Sequence, residues 1–208
     1  LDLSCGLLDT RDGILLCQAQ SQLSIHAGAV LFNGVTRLTG LGDVILGTPG
    51  ECVLTLESDF THPAEGSQLA FQGGSIRVEG PGRIINEGEF PLGGVSEMNA
   101  DLINRGVLRG PGGLQTTTIR GFLHNLPEGL LVFGAFSGGV PKAYLNLEED
   151  CTNEGRIEME GSNAFLNIAE GKTLLNAAGA TITTTLVSAG MWWSPAVFVT
   201  GDIDNRGL

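Results

Sequence analysis

One short unit recurs along the chain: an apolar residue, a variable one, asparagine, a variable one, glycine, a variable one, then an apolar residue. Ile84-Ile85-Asn86-Glu87-Gly88-Glu89-Phe90 has this form, as does Leu102-Ile103-Asn104-Arg105-Gly106-Val107-Leu108. It returns in Cys151-Thr152-Asn153-Glu154-Gly155-Arg156-Ile157 and again in Ile203-Asp204-Asn205-Arg206-Gly207-Leu208. Two copies have longer turns, one from Leu123 through Asn125 to Gly129 and one from Leu174 through Asn176 to Gly179. The six asparagines are separated by 18, 21, 28, 23 and 29 residues. A motif repeating at such a period marks one supersecondary unit laid down again and again.

Between the asparagines the pattern alternates with period two. Arg156-Ile157-Glu158-Met159-Glu160 puts apolar residues on one side and charges on the other, as does Ser75-Ile76-Arg77-Val78-Glu79. Both are half-buried strands bounded by turn residues. Glycine, 32 of 208 residues, falls between the short apolar runs where turns belong. No amphipathic helix is evident, and Asn146-Leu147-Glu148-Glu149-Asp150 is the best candidate for a short helical turn.

A sandwich or barrel accounts for frequent turns but not for one motif returning every 18–29 residues. A single-stranded parallel β-helix accounts for both, because each coil buries its inner face only by stacking on its neighbours. The expected fold is therefore all-β, a β-solenoid with Asn-x-Gly corners. Those corners fall at Asn86, Gly88, Asn104, Gly106, Asn125, Gly129, Asn153, Gly155, Asn176, Gly179, Asn205 and Gly207. Asparagine and glycine suit a left-handed backbone at a sharp corner, and stacked amides can bond along the column. Residues 1–30 depart from the pattern and are expected to form a cap or an irregular first coil. Within them, residues 7–16 resemble strand, turn, strand with Asp12-Gly13 at the turn. Residues 31–208 form the solenoid, expected to be a segment of a longer one, with Asn33 as a degenerate early anchor.

These coils, together with the scarcity of lysine and the abundance of Gly, Thr and Asn, resemble the right-handed β-helix stalks of bacterial surface and secreted proteins. Filamentous-haemagglutinin-like exoproteins, autotransporter passengers and giant adhesins are examples. The resemblance covers about residues 75–208 and, less clearly, 20–75. It implies export to the cell surface or medium, adhesion, display or assembly, and no catalysis in the stalk.

A net charge of −12 repels phosphate backbones and anionic lipid, so neither nucleic-acid binding nor membrane insertion is expected. Four cysteines, Cys5, Cys17, Cys52 and Cys151, lack C-x-x-C spacing. Cys5 and Cys17 are the pair closest in sequence and the candidate disulfide, while Cys151 reads as a buried thiol. No metal or cofactor site is expected: His26, His62 and His124 have no ligand spacing, and Asp202-x-Asp204-Asn205 lacks the closing Glu of a calcium loop. Glu170-Gly171-Lys172-Thr173 lacks the first glycine of a phosphate loop. Glu158 and Glu160, about 7 Å apart on one side of a strand, match an inverting glycosidase pair in spacing but equally suit an exposed face. Thr116–Thr118 and Thr181–Thr185 are too few rows for an ice-binding array.

Trp192 and Trp193 are the only tryptophans, adjacent in an insertion, and with Phe133 and Phe136 they are the candidate contacts for a surface glycan or a partner protein. The expected function is non-enzymatic and structural or adhesive. A carbohydrate-active β-helix (tailspike-like, lyase-like or a glycan-binding module) and a self-assembling building block joined through coil ends are the alternatives.

Overall fold

The computed structural model describes residues 2–11, 14–17, 22–34, 36–40, 43–47, 50–66, 68–72, 75–112, 114–135, 142–161, 163–185 and 197–207. Among them every regular element is a strand, and every strand pairing is parallel. The chain winds through three faces per coil and then repeats one layer further on.

The long face runs through Asp2–Asp9, Gln22–Phe32, Glu51–Leu56, Ser75–Glu79, Val95–Met98, Thr116–Ile119, Ala143–Leu147, Ala164–Ile168 and Val197–Thr200. The asparagine face is a seven-stranded sheet: Phe60–His62, Ile84–Asn86, Leu102–Asn104, Leu123–Asn125, Cys151–Asn153, Thr173–Asn176 and Asp202–Asn205. The third face is five strands, Glu89–Pro91, Val107–Arg109, Leu130–Ala135, Arg156–Gly161 and Thr181–Thr185. Gln22–Phe32 serves two columns at once. Its second half pairs with Glu51–Leu56 and its first half with Asp43–Gly47.

Period two in the sequence becomes inside and outside. In Ala143–Leu147 the three odd positions are buried and the two between them are half-exposed, and Ala164–Ile168 repeats this. The inner residues of the three faces meet in one core threaded along the stack. Removing a Leu, Ile or Phe side chain from water contributes about 1.5–3 kcal/mol, and a coil gains this only through its neighbours. Phe32 and Phe60 meet there at 5.0 Å between ring centroids.

Several local expectations are revised. Asp2–Asp9 and Ile14–Cys17 do not form a hairpin: the first pairs with Gln22–Phe32 and the second with Arg37–Gly40, both parallel. They are consecutive faces of a coil. Asn146 and Leu147 end a strand, not a helical turn. Asn33 follows the long-face strand ending at Phe32, so it stands at a different corner from the asparagine column.

The corner glycines have another reason than the one expected. Gly88, Gly106, Gly129, Gly155 and Gly207 are not among the residues with positive φ, and neither are the six corner asparagines. Instead, a Cβ built at Gly106 would fall under 3.0 Å from the carbonyl of Gly88, and one at Gly155 as close to the carbonyl of Gly129. Glycine is required because one backbone lies directly on another. Gly179 differs: it has φ 86° and open space around a Cβ. Register places Ala180, fully buried, over Gly155.

Candidate functional site

Two side-chain constructions cross several coils, one inside the stack and one on its outer surface. The buried one is the asparagine column. The Cα atoms of His62, Asn86, Asn104, Asn125, Asn153, Asn176 and Asn205 are in register. Each amide from Asn86 to Asn176 donates through Nδ2 to the Oδ1 of the next, at 2.7, 2.7, 2.6, 2.6 and 2.8 Å. The second amide proton reaches a backbone carbonyl around the corner, such as Val107 for Asn86 and Arg156 for Asn125. A buried amide left without partners costs about 1–3 kcal/mol, so full satisfaction is what makes the column tolerable. The predicted corner residues are thereby brought together, and their role is structural.

Charged side chains also join coil to coil. Arg83 pairs with Asp59 at 2.6 Å, Arg120 bridges Glu97 and Glu148 at 3.0 and 2.8 Å, and Lys172 pairs with Glu149. The Arg83 guanidinium hydrogen-bonded to Asp59 holds that carboxyl below its ordinary value. Asp59, Asp101 and Asp150 each accept a backbone N–H from the following coil, from Arg83, Phe122 and Thr173.

The exposed construction lies on the outer side of the long face. Tyr144, Phe165 and Phe198 are in register and stack, with centroids 4.7 and 4.8 Å apart and planes within 22° and 9°. Lys142 Nζ stands 5.6 Å from the Phe165 ring centre. Two residues along the same strands runs a polar row. Asn146 Nδ2 donates to Thr118 Oγ1 at 3.3 Å, Asn167 Nδ2 to Asn146 Oδ1 at 2.8 Å, and Thr200 Oγ1 to Asn167 Oδ1 at 2.9 Å. Thr116 is in register with Tyr144 and borders a shallow recess of about 110 Å³, lined also by Ser75, Ser96 and Gln115. A stack of this kind spends ring faces on one another and shows edges outward. This strip is not among the contacts expected from the sequence, where its signal is that Ala143-Tyr144-Leu145-Asn146-Leu147 and Ala164-Phe165-Leu166-Asn167-Ile168 are one pattern repeated after 21 residues.

Of the residues nominated as partner contacts, Phe133 is not on the surface. It is 1% exposed, because in Leu130–Ala135 it takes an inward position in register with Met159. Phe136, Trp192 and Trp193 lie outside the described residues. Cys5 is a free, half-buried thiol; the side chain of Cys17, its proposed partner, is likewise outside them. Cys151 sits inward between Leu123 and Leu174, and burial pushes its thiol up to about 11. Glu158 is engaged by Arg156 on its own strand. Thr117 points inward and donates to Val95 O at 2.7 Å, so Thr116–Thr118 is not an outward row.

Among the described residues no three His, Cys, Asp or Glu gather as a metal-binding set, and no helix is long and apolar enough to cross a membrane. Comparison with protein-family models, with curated proteins and with solved structures finds no match to this chain.

Proposed function

We propose that this chain is a non-enzymatic structural β-solenoid, displayed outside the cell in the manner of bacterial adhesin stalks. The observation that supports this reading is where the polar side chains are used. The buried amides are spent on the next coil, and so are the Arg83–Asp59, Arg120–Glu97, Arg120–Glu148 and Lys172–Glu149 pairs. Groups committed to holding layers in register build a rod rather than a reaction centre, in keeping with the quasi-one-dimensional stability of stacked repeats. The acidic surface, net −12, keeps such a rod soluble and away from anionic lipid.

Location is the test. Antibody raised against the purified chain should label intact source cells, or precipitate the protein from their medium. Labelling that requires permeabilised cells would overturn the reading.

A second reading, recognition of a glycan, is favoured by the outer strip of the long face, where aromatic edges, amides and hydroxyls stand side by side above a recess. A glycan array with the parent chain, a Tyr144→Ala/Asn167→Ala variant and a Trp192→Ala/Trp193→Ala variant separates the possible contact regions. Binding lost only in the first variant supports the strip. Binding lost only in the second moves recognition to the tryptophans.

A further inference from the structure

Six members of the amide column are asparagines, of which Asn86 through Asn176 are buried and Asn205 is exposed; the member that heads it is His62. It is fully buried and in register with Asn86. Its two ring nitrogens face groups of opposite kind. Nδ1 lies 3.1 Å from Asn86 Oδ1, and that oxygen can only accept, so Nδ1 carries the proton. Nε2 accepts the backbone N–H of Leu69 at 3.1 Å, so it carries none. Only the neutral Nδ1–H tautomer satisfies both bonds. A proton on Nε2 would set donor against donor and place a charge in the core.

The Leu69 bond also fixes the chain after a loop. Pro63 leaves the strand Phe60–His62, and the chain rejoins the stack at Leu69–Gln72. Gln68 Nε2 reaches Pro63 O at 3.3 Å and Gly66 O at 3.5 Å, both long, while its Oε1 is buried without a partner. Among the described residues the return of the chain is tied at Gln68, whose carbonyl accepts the Val44 N–H at 2.8 Å, and at Leu69, whose N–H is held by the histidine ring.

The ring's resolved contacts are Asn86, Leu69 and Phe90, the last edge-on at 5.2 Å. The charged or titratable residues on the elements packed around it are Arg37 on the preceding coil, Asp59 and Glu65 on its own, and Arg83, Glu87 and Glu89 on the next. Asp59 pairs with Arg83, Glu87 with Arg105 and Glu89 with Arg109, while Arg37 and Glu65 are exposed. None of them perturbs the imidazole.

We propose that the His62–Leu69 hydrogen bond is an acid-sensitive latch: protonation of Nε2 sets it against the Leu69 N–H, the charged ring leaves the core for water, and its departure frees the return of the chain at Leu69 and releases Asn86, while the all-asparagine rungs beyond stay closed. Burial, against the opposing pull of the Asn86 bond, lowers the imidazole from 6.5 to about 4. Since the closed-state value lies below the open-state one, the latch is fully favoured above pH 6.5 and weakens as pH falls toward 4. The opening equilibrium rises about tenfold per pH unit across that window.

Hydrogen exchange of the full chain, corrected for intrinsic rates, tests this on segments 60–72 and 123–135. Between pH 7 and 4.5 the first should lose protection by on the order of a hundredfold, with the second unchanged. His62→Asn should abolish the difference. Equal protection at both pH values in the parent, or the same loss in the variant, would overturn the proposal. Should the variant fail to fold, imidazole 15N shifts of the parent decide: the Nδ1–H tautomer with a midpoint below pH 5 is expected, and a ring titrating near 6.5 sinks the idea.

Discussion

Gly106 lies directly over Gly88, so near that a Cβ on the upper residue would fall under 3.0 Å from the lower carbonyl. Gly106→Ala must therefore push two backbones apart, and neither atom belongs to a side chain that can rotate away. We expect a loss of about 3 kcal/mol or more, on the scale of overpacked cores. Gly179→Ala, at φ 86° with open space around it, should cost only the left-handed penalty, about 1–2 kcal/mol. Urea melts of the two variants test the ordering, and equal costs would refute the close-approach account.

Asn125 and Asn146 both sit in hydrogen-bonded amide rows, yet one is 1% exposed and the other half-buried. Asn125→Ala leaves Asn153 Oδ1 and the Arg156 carbonyl short of a donor in the core, and opens a void. A cost of about 3 kcal/mol follows. Asn146→Ala lets water replace the lost bonds, and the cost should stay under about 1 kcal/mol. Chemical denaturation of both variants, with unchanged m-values, is the measurement.

Arg120 reaches two carboxylates on two coils, but all three groups are well exposed. Arg120→Ala should leave the urea midpoint nearly unchanged, with any small loss shrinking further in high salt.

The Asp59 carboxyl, held below 3.8 by Arg83, contributes stability that is present above that value and lost as pH falls through its lowered one. Asp59→Asn should thus be less stable than the parent at pH 6, with the gap closing in strong acid. A gap undiminished as the pH is taken into strong acid would show that charge is not its source.

Cys52 and Cys151 are buried, and burial raises both thiols. Neither should react with a thiol reagent at pH 8 in the folded chain, and both should react in denaturant. Modification of Cys151 under native conditions would contradict its place between Leu123 and Leu174.

The fold was legible because its signal is periodic. The Asn-x-Gly corners and the alternation around Ile157 and Met159 report backbone geometry directly, whatever the side chains do for a living. The place of His62 in the column carries no sequence signal, because the column admits any side chain that can donate to Asn86 and no asparagine marks it. The positions of the corner glycines are legible but their cause is not: a sequence shows that a Cβ is missing, not whether torsion or a neighbour forbids it. Phe133 is a candidate contact by residue type alone, and its inward position follows from the length of its strand, Leu130–Ala135, which the sequence does not mark. Register alone, a property of coils far apart in sequence, lines up Tyr144 with Phe165 and Phe198.

The amide column has a direction. Every Nδ2 points toward the following coil and every Oδ1 toward the preceding one, so the side-chain dipoles add instead of cancelling, and hydrogen bonds in such a chain polarise one another. The negative end meets the N–H of His62. The stack thus behaves like a macroscopic polar filament with a head and a tail: coils of this design can be shuffled, duplicated or grafted in the same sense, but an inverted coil would set carbonyl against carbonyl at one seam and amide against amide at the other.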